Sequence, residues 1–247
     1  MPPENPILRQ LHRAARACPP LINLYRKLRD GSRSDPLATA LYRKTIDRGR
    51  LRLPLMEAEK LAPESGSIQL PVLYPLLAGE DAPLNDLLFL LNLAKGRQAR
   101  RILEVGTFRA RTTLALHLNC PAATIVSYDI QVLDSEFRRR LAGQSGVQLR
   151  HASFSASAKT LRQEPPFDLI FVDGSHTFEH VVEDSRLALE LAAPGGIIVW
   201  HDYRPNDYYN NGLRVPEGLE IIRQTVPVFA VPQTMCAVHV KPVPPQS

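Results

Sequence analysis

From Pro83 onward the chain alternates short apolar runs with stretches of helical periodicity. Segments of five or six residues built on short apolar or alternating runs, bounded by polar and turn-forming residues, predict strands over 101–105, 124–128, 147–151, 168–172 and 196–201. Apolar residues spaced three and four apart predict helices over 84–95, 111–118, 134–142, 178–192 and 216–225. A final pair of strands is expected at 227–231 and 235–240; the link Pro232-Gln-Thr is hairpin-length, so one of the two runs antiparallel. Strands alternating with helices imply an α/β fold, a doubly wound and mostly parallel seven-stranded sheet of Rossmann-like type. Three strands end in polar, ligand-facing chemistry: Glu104-Val-Gly-Thr-Phe108, Val172-Asp-Gly-Ser-His176 and Trp200-His-Asp202. Buried parallel strands look like this where their carboxyl ends open into a crevice.

Before Pro83 the pattern changes. Ile7, Leu8, Leu11, Ala15 and Cys18 share one helical face, and Pro19-Pro20 ends that stretch. Leu21, Leu24, Tyr25 and Leu28 repeat the pattern, and a third helical piece is expected over 36–48 before an irregular stretch that runs to Gly79. Residues 1–80 therefore read as a helical extension, 81–241 as the main domain, and 242–247, which are Pro-rich, as a disordered tail.

Composition adds a charge asymmetry. Residues 1–60 hold 13 Lys/Arg against 6 Asp/Glu, while the rest of the 247 residues hold 17 against 19, so the net charge of +5 belongs to the extension. Such an arm suits an anionic partner, and equally a solvated helical face. Three widely spaced cysteines, Cys18, Cys120 and Cys236, give neither a disulfide framework nor zinc spacing, which fits a reducing cytoplasm. The densest apolar run, Leu87–Leu91, breaks at Asn92, far short of a membrane span.

The turn after the first strand excludes two common cofactor classes. It reads Gly106-Thr-Phe-Arg-Ala-Arg111, with Phe108 and Arg111 where a dinucleotide fingerprint needs glycines, and no G-x-x-x-x-G-K-[ST] exists anywhere. Glu104 can approach a cationic ligand group. Asp129, 25 residues further on at the end of the second strand, can accept from both hydroxyls of a ribose.

Together the Glu104-x-Gly-Thr-Phe108 turn, the Val172-Asp-Gly-Ser-His176 box, the Pro194-Gly-Gly196 turn and the His201-Asp-Tyr203 strand end resemble class I S-adenosylmethionine-dependent O-methyltransferases. The likeness runs from about Leu84 to Lys241 and is greatest to the metal-dependent branch that methylates sugars on macrolide and aminocoumarin natural products. The resemblance implies that Glu104, Gly106, Thr107 and Phe108 line the methionine end of S-adenosylmethionine, that Asp129 holds its ribose and that Asp173 also borders the cofactor; with the family's acid after the third strand missing, adenine is left to backbone groups, Ser153 or Phe154. It further implies Asp173, position 201 and Asp202 as ligands of a divalent ion, His176 as general base, and a small-molecule hydroxyl, such as that of a glycosylated metabolite, as acceptor. In that family, N-terminal extensions serve as lids or oligomer contacts, which makes a homo-oligomer an expected partner.

Three departures matter. Ala110 replaces a frequent second glycine, no acid follows the third strand, and His201 replaces an acid in the metal pair. Imidazole makes Mn²⁺ or a similar ion as suitable as Mg²⁺, and a site without any metal is the other reading. The departures also keep open an alternative, a catalytically inactive methyltransferase-like binding or assembly module. Nucleic acid is not the expected substrate, because no N-P-P-Y-like base clamp is present and aromatics are only 6%. His176, with an ordinary pKa near 6.5, suits a base at neutral pH.

Overall fold

The structure, a computed structural model, describes residues 53–62, 66–70, 83–203 and 213–245. The three helices expected over 7–48 lie outside the described residues.

The elements in chain order are α1 (Leu84–Gly96), β1 (Arg101–Val105), α2 (Arg111–Asn119), β2 (Thr124–Asp129), α3 (Glu136–Leu141), β3 (Val147–His151) and α4 (Ala158–Leu161). They continue with β4 (Phe167–Val172), α5 (Phe178–Leu191), β5 (Ala192–Trp200), α6 (Val215–Ile222), β6 (Phe229–Ala230) and β7 (Ala237–Val240). The seven strands form one sheet in the order β3-β2-β1-β4-β5-β7-β6, and only β7 runs against the rest. The strand order reverses between β1 and β4, which pair in parallel from Ile102↔Leu169 to Val105↔Val172. In an open α/β sheet such a reversal leaves a crevice at the carboxyl ends of the two strands.

Strand alternation sorts the core into two faces. Leu103, Val105, Ile170, Val172, Ile198 and Trp200 pack under α5 and α6 with Leu187, Leu191, Val215 and Leu219. Ile102, Ile125, Leu169, Phe171, Ile197 and Val199 pack under α1 and α2 with Leu87, Leu90, Leu91, Ala115 and Leu116. The same alternation decides where the polar strand ends point. Trp200, on the first face, donates its Nε1–H to Ser185 Oγ of α5 (2.8 Å), whereas His201 turns to the α1 face beside the Phe171 ring.

Three local expectations change. The Pro194-Gly-Gly196 segment is not a free helix-to-strand turn: α5 stops at Leu191, β5 begins at once, and the three residues bulge where the register shifts between Phe167↔Ala192 and Leu169↔Ile197. Lys241 Nζ caps that helix end, donating to the carbonyls of Leu189 and Ala192 (2.9 and 2.8 Å). The last strand pair is shorter than its apolar runs, because Pro232 and Gln233, at φ 59°, turn the chain before a ladder can extend. Residues 155–161, for which the pattern predicted nothing, form a 3₁₀ turn and the short α4.

The irregular stretch before Gly79 also has defined places. Leu55 bridges Ala230 beside the edge strand β6, the Met56 N–H donates to Ala230 O, and the Leu53 N–H donates to Tyr203 Oη. Backbone contact of this kind covers part of a sheet edge that would otherwise present unpaired groups.

Candidate active site

A cavity of about 520 Å³ opens at the carboxyl ends of β1, β2, β4 and β5. Gly106, Thr107, Phe108, Asp129, Ser153, Asp173, His176, His201 and Asp202 all line it. Of the residues expected to meet cofactor or metal or to act as base, only Glu104 is absent from the wall.

The turn after β1 explains its own sequence. Gly106 adopts φ +100°, and a Cβ there would lie 2.0 Å from the Asp173 carbonyl oxygen, so only glycine lets β1 and β4 end side by side. Phe108 (φ 46°) and Ala110 (φ 63°) also take left-handed conformations, and Ala110 occupies the position before α2. The turn is held by Asp129, whose Oδ2 accepts from the Phe108 N–H (2.6 Å) while Oδ1 accepts from the Gln131 N–H (2.8 Å). Two backbone donors fix the carboxylate, and each oxygen keeps a further lone pair for a ligand hydroxyl.

Glu104 lies behind the turn, facing α2, fully buried. Its Oε2 accepts from the hydroxyls of Thr113 and Ser127, and Ser127 is in turn 2.6 Å from Thr107 Oγ1. Oε1 is buried with no hydrogen-bond partner among the described residues. Burial, outweighing the two hydroxyl bonds, pushes the Glu104 carboxyl up to about 7.

At the other end of the cavity, acids and imidazoles interleave. His201 is enclosed between two carboxylates, with Nδ1 3.1 Å from Asp173 Oδ1 and Nε2 3.0 Å from Asp86 Oδ2. Asp86 is 3% exposed, and its second oxygen accepts from the Met235 N–H (2.9 Å). Burial disfavours the imidazolium, but Asp173, Asp86 and Asp202 outweigh it and hold His201 well above the ordinary histidine range. Asp173, although burial pulls the other way, is held below the usual carboxylate range by His201 and His176. His176 Nε2 lies 3.2 Å from Asp202 Oδ2 and 3.5 Å from Asp173 Oδ1, near enough for an ion pair but without the alignment of a hydrogen bond. Burial again opposes its charge, yet the two acids push His176 up to about 9, well above the value expected of a base at neutral pH. Asp202 reaches this cluster from a left-handed backbone (φ 55°), a conformation that aspartate tolerates better than most residues.

The oxygens of Asp173 and Asp202 and a His201 nitrogen lie within 4.8 Å of one another. Around an ion with bonds of about 2.1 Å, adjacent donors lie roughly 3 Å apart and opposite ones roughly 4.2 Å, so this set has the right span for a divalent cation.

Three cavity or site residues were not anticipated as such. Asp86 sits one turn from Leu90 and two from Leu93 and Ala94 on the buried stripe of α1, and an acid on an apolar stripe was the available signal. Asp184 of α5 lines the cavity, and burial raises its carboxyl to about 6. His180, expected only to be solvated, is exposed but also lines the cavity, its Nδ1 2.9 Å from both Ser175 Oγ and Thr177 Oγ1.

A tight turn and an open crevice at the sheet's point of reversal are features a nucleoside ligand can use, and the comparisons bear on the fold. A family profile described as a methyltransferase domain matches residues 88–203. No curated protein sequence matches the chain. Among solved structures, an O-methyltransferase from Bacillus cereus in complex with SAH is 23% identical with a TM-score of 0.52, covering 67% of this chain and 84% of its own. TomG from Streptomyces achromogenes, an O-methyltransferase involved in tomaymycin synthesis and solved with SAM, is 24% identical with a TM-score of 0.51, covering 68% and 83%. Cofactor-bound Rv0187 from MTB is 22% identical with a TM-score of 0.52 and covers 92% of this chain and 98% of its own. These likenesses establish the fold. Residues 88–203 carry a methyltransferase domain of the class I, Rossmann-like fold. Among the described residues no helix is long and apolar enough to cross a membrane.

Proposed function

We propose that the protein transfers a methyl group to a hydroxyl of a small molecule, with Asp173, His201 and Asp202 holding a divalent ion and His176 taking the hydroxyl proton. The observation that carries this reading is His176 Nε2, buried, without a hydrogen-bond partner among the described residues and 3.2 Å from Asp202 Oδ2 at the wall of the cavity. S-adenosylmethionine, when bound, supplies an electrophilic methyl group, and a divalent ion supplies a Lewis acid that stabilises negative charge on oxygen. The chain's own residues do the rest. Asp129 would hold the ribose and the Gly106 turn the methionine end, and Asp173 and Asp202 line the same cavity, where they can face an acceptor oxygen.

With no ion on Asp173 and Asp202, His176 keeps its proton up to about pH 9. It accepts one at neutral pH only once Asp173 and Asp202 are otherwise engaged, which couples base strength to occupancy of the acid pair. The acceptor O–H would then give its proton to Nε2 as its oxygen takes the methyl group, the sulfur–methyl bond breaking and S-adenosylhomocysteine leaving.

A cavity of about 520 Å³ suits a small ligand rather than a macromolecular surface. An aliphatic hydroxyl, as on the sugar of a glycosylated metabolite, needs both a base and charge stabilisation far more than a phenol that ionises near pH 10. The resemblance in sequence motifs supports the same acceptor class.

The test is turnover on a panel of glycosylated and phenolic hydroxyl compounds, read by mass increase. Chelation should abolish turnover and Mn²⁺ or Mg²⁺ restore it. His176→Gln should bind S-adenosylhomocysteine normally while losing about 10²- to 10⁴-fold in rate. Full activity in excess chelator removes the ion from the mechanism; a His176→Gln rate within about threefold of wild type removes the base.

A further inference from the structure

His201 has two nitrogens and only one of them can serve a metal, so something must decide which. Nδ1 faces Asp173 and Asp202, at 3.1 and 3.8 Å, whereas Nε2 faces away from the cavity toward Asp86 Oδ2 at 3.0 Å. Asp86 is itself fixed. Its other oxygen accepts from the Met235 N–H at 2.9 Å, and its side chain is 2% exposed, so both oxygens are held against their partners in the core. Carboxylates only accept hydrogen bonds, so each nitrogen carries a hydrogen toward its acid; a cation taking Asp173 and Asp202 would displace the one on Nδ1, while Nε2 keeps its own against Asp86.

We propose that Asp86 is the positioning residue that makes His201 a metal ligand: by accepting a hydrogen bond from Nε2–H it aims the Nδ1 lone pair at the ion site formed with Asp173 and Asp202. The inference rests on the metal reading above and deepens it. Asp86 comes from α1 and Met235 from the link before β7, both outside the 88–203 segment that matches the methyltransferase profile. The imidazole at 201 and the acid at 86 therefore act as a unit. An acidic side chain at 201 would need no tautomer control and would be repelled by Asp86.

Substitution by asparagine isolates this role. The Met235 N–H demands an acceptor, so the Asp86→Asn side chain must point its oxygen at Met235 and its NH₂ at His201. A donor facing Nε2 forces the ring hydrogen onto Nδ1, where it blocks the ion. Removing an outer carboxylate of this kind costs about 10- to 100-fold in metal affinity.

The experiment titrates the metal-free full chain with Mn²⁺, followed by electron paramagnetic resonance, alongside calorimetry with S-adenosylhomocysteine. The expected result is Mn²⁺ affinity about 10- to 100-fold weaker in Asp86→Asn with unchanged S-adenosylhomocysteine affinity, and recovery of most of the loss in Asp86→Asn/His201→Glu, where an amide donor faces an acid. If wild type itself binds no Mn²⁺ at millimolar concentration, the metal reading falls and this inference with it. If wild type binds and Asp86→Asn binds equally well, the inference alone is overturned. Failure of the double variant to recover, or loss of S-adenosylhomocysteine binding in Asp86→Asn, assigns Asp86 a purely structural role and also overturns it.

Discussion

Glu104 is where a single residue links stability to ligand binding. Its carboxyl is raised from 4.5 to about 7 because the fold removes it from water and leaves Oε1 unpartnered. The folded state therefore holds a proton that the unfolded chain gives up at lower pH. The stability this contributes is full below about pH 4.5 and is lost as pH rises to about 7, an effect of the order of 3 kcal/mol. Glu104→Gln should flatten that decline, as read by denaturant melts between pH 5 and 8. A cofactor ammonium reaching Oε1 would favour the ionised form. Calorimetric titration of S-adenosylhomocysteine at pH 6, in two buffers of different ionisation enthalpy, should then show release of about one proton, fading by pH 8 and absent in Glu104→Gln. No release in wild type would mean that the ammonium binds elsewhere. The sequence marked Glu104 as an acid at a strand end, but its burial depends on Thr113 and Ser127, which come from neighbouring elements.

Between β1 and α2 the turn sets opposite demands on two small residues. Gly106→Ala would drive a Cβ to within 2.0 Å of the Asp173 carbonyl oxygen, and backbone cannot yield there without parting β1 from β4. The expected cost is about 3 kcal/mol or more, a fall in Tm of roughly 6–12 °C. Ala110→Gly should do the reverse, relieving a left-handed alanine at φ 63° and raising Tm by about 2–4 °C with cofactor affinity unchanged. Thermal melts of both variants check the pair, and equal melts would show that this turn is not strained. Gly106 was readable in the sequence because a sharp strand-to-helix turn needs it. The left-handed Ala110 was not, since nothing in an alanine codon announces positive φ.

At the scale of the molecule, the methyltransferase sheet recruits chain from before its own domain. Leu61 is 2% exposed against Leu87, Leu91 and their neighbours on the α1 face, and Met56 and Ile68 join it. Gln69 exchanges backbone hydrogen bonds with the Asn119 side chain at 2.8 and 2.7 Å. Leu61→Ala should therefore cost about 2–4 kcal/mol, lowering Tm by roughly 4–16 °C, as any core leucine would. A change under 1 °C in a thermal melt would show that residues 53–70 lie loosely on the sheet. The sequence reading left this stretch irregular, because its contacts are single side chains and isolated bridges with no periodicity to detect.

The sequence by itself determined the parallel α/β architecture, the antiparallel strand near the end, and the cofactor turn with its polar strand ends. Those are local properties: side-chain alternation, helical spacing and the backbone needs of a turn are all written within a dozen residues. Tertiary structure alone decided that Asp86 meets His201 across 115 residues, that two acids hold His176 charged, and that Glu104 is sealed beneath the turn. Strand order places those groups in contact, and contact and burial, rather than residue type, set the charge each one carries.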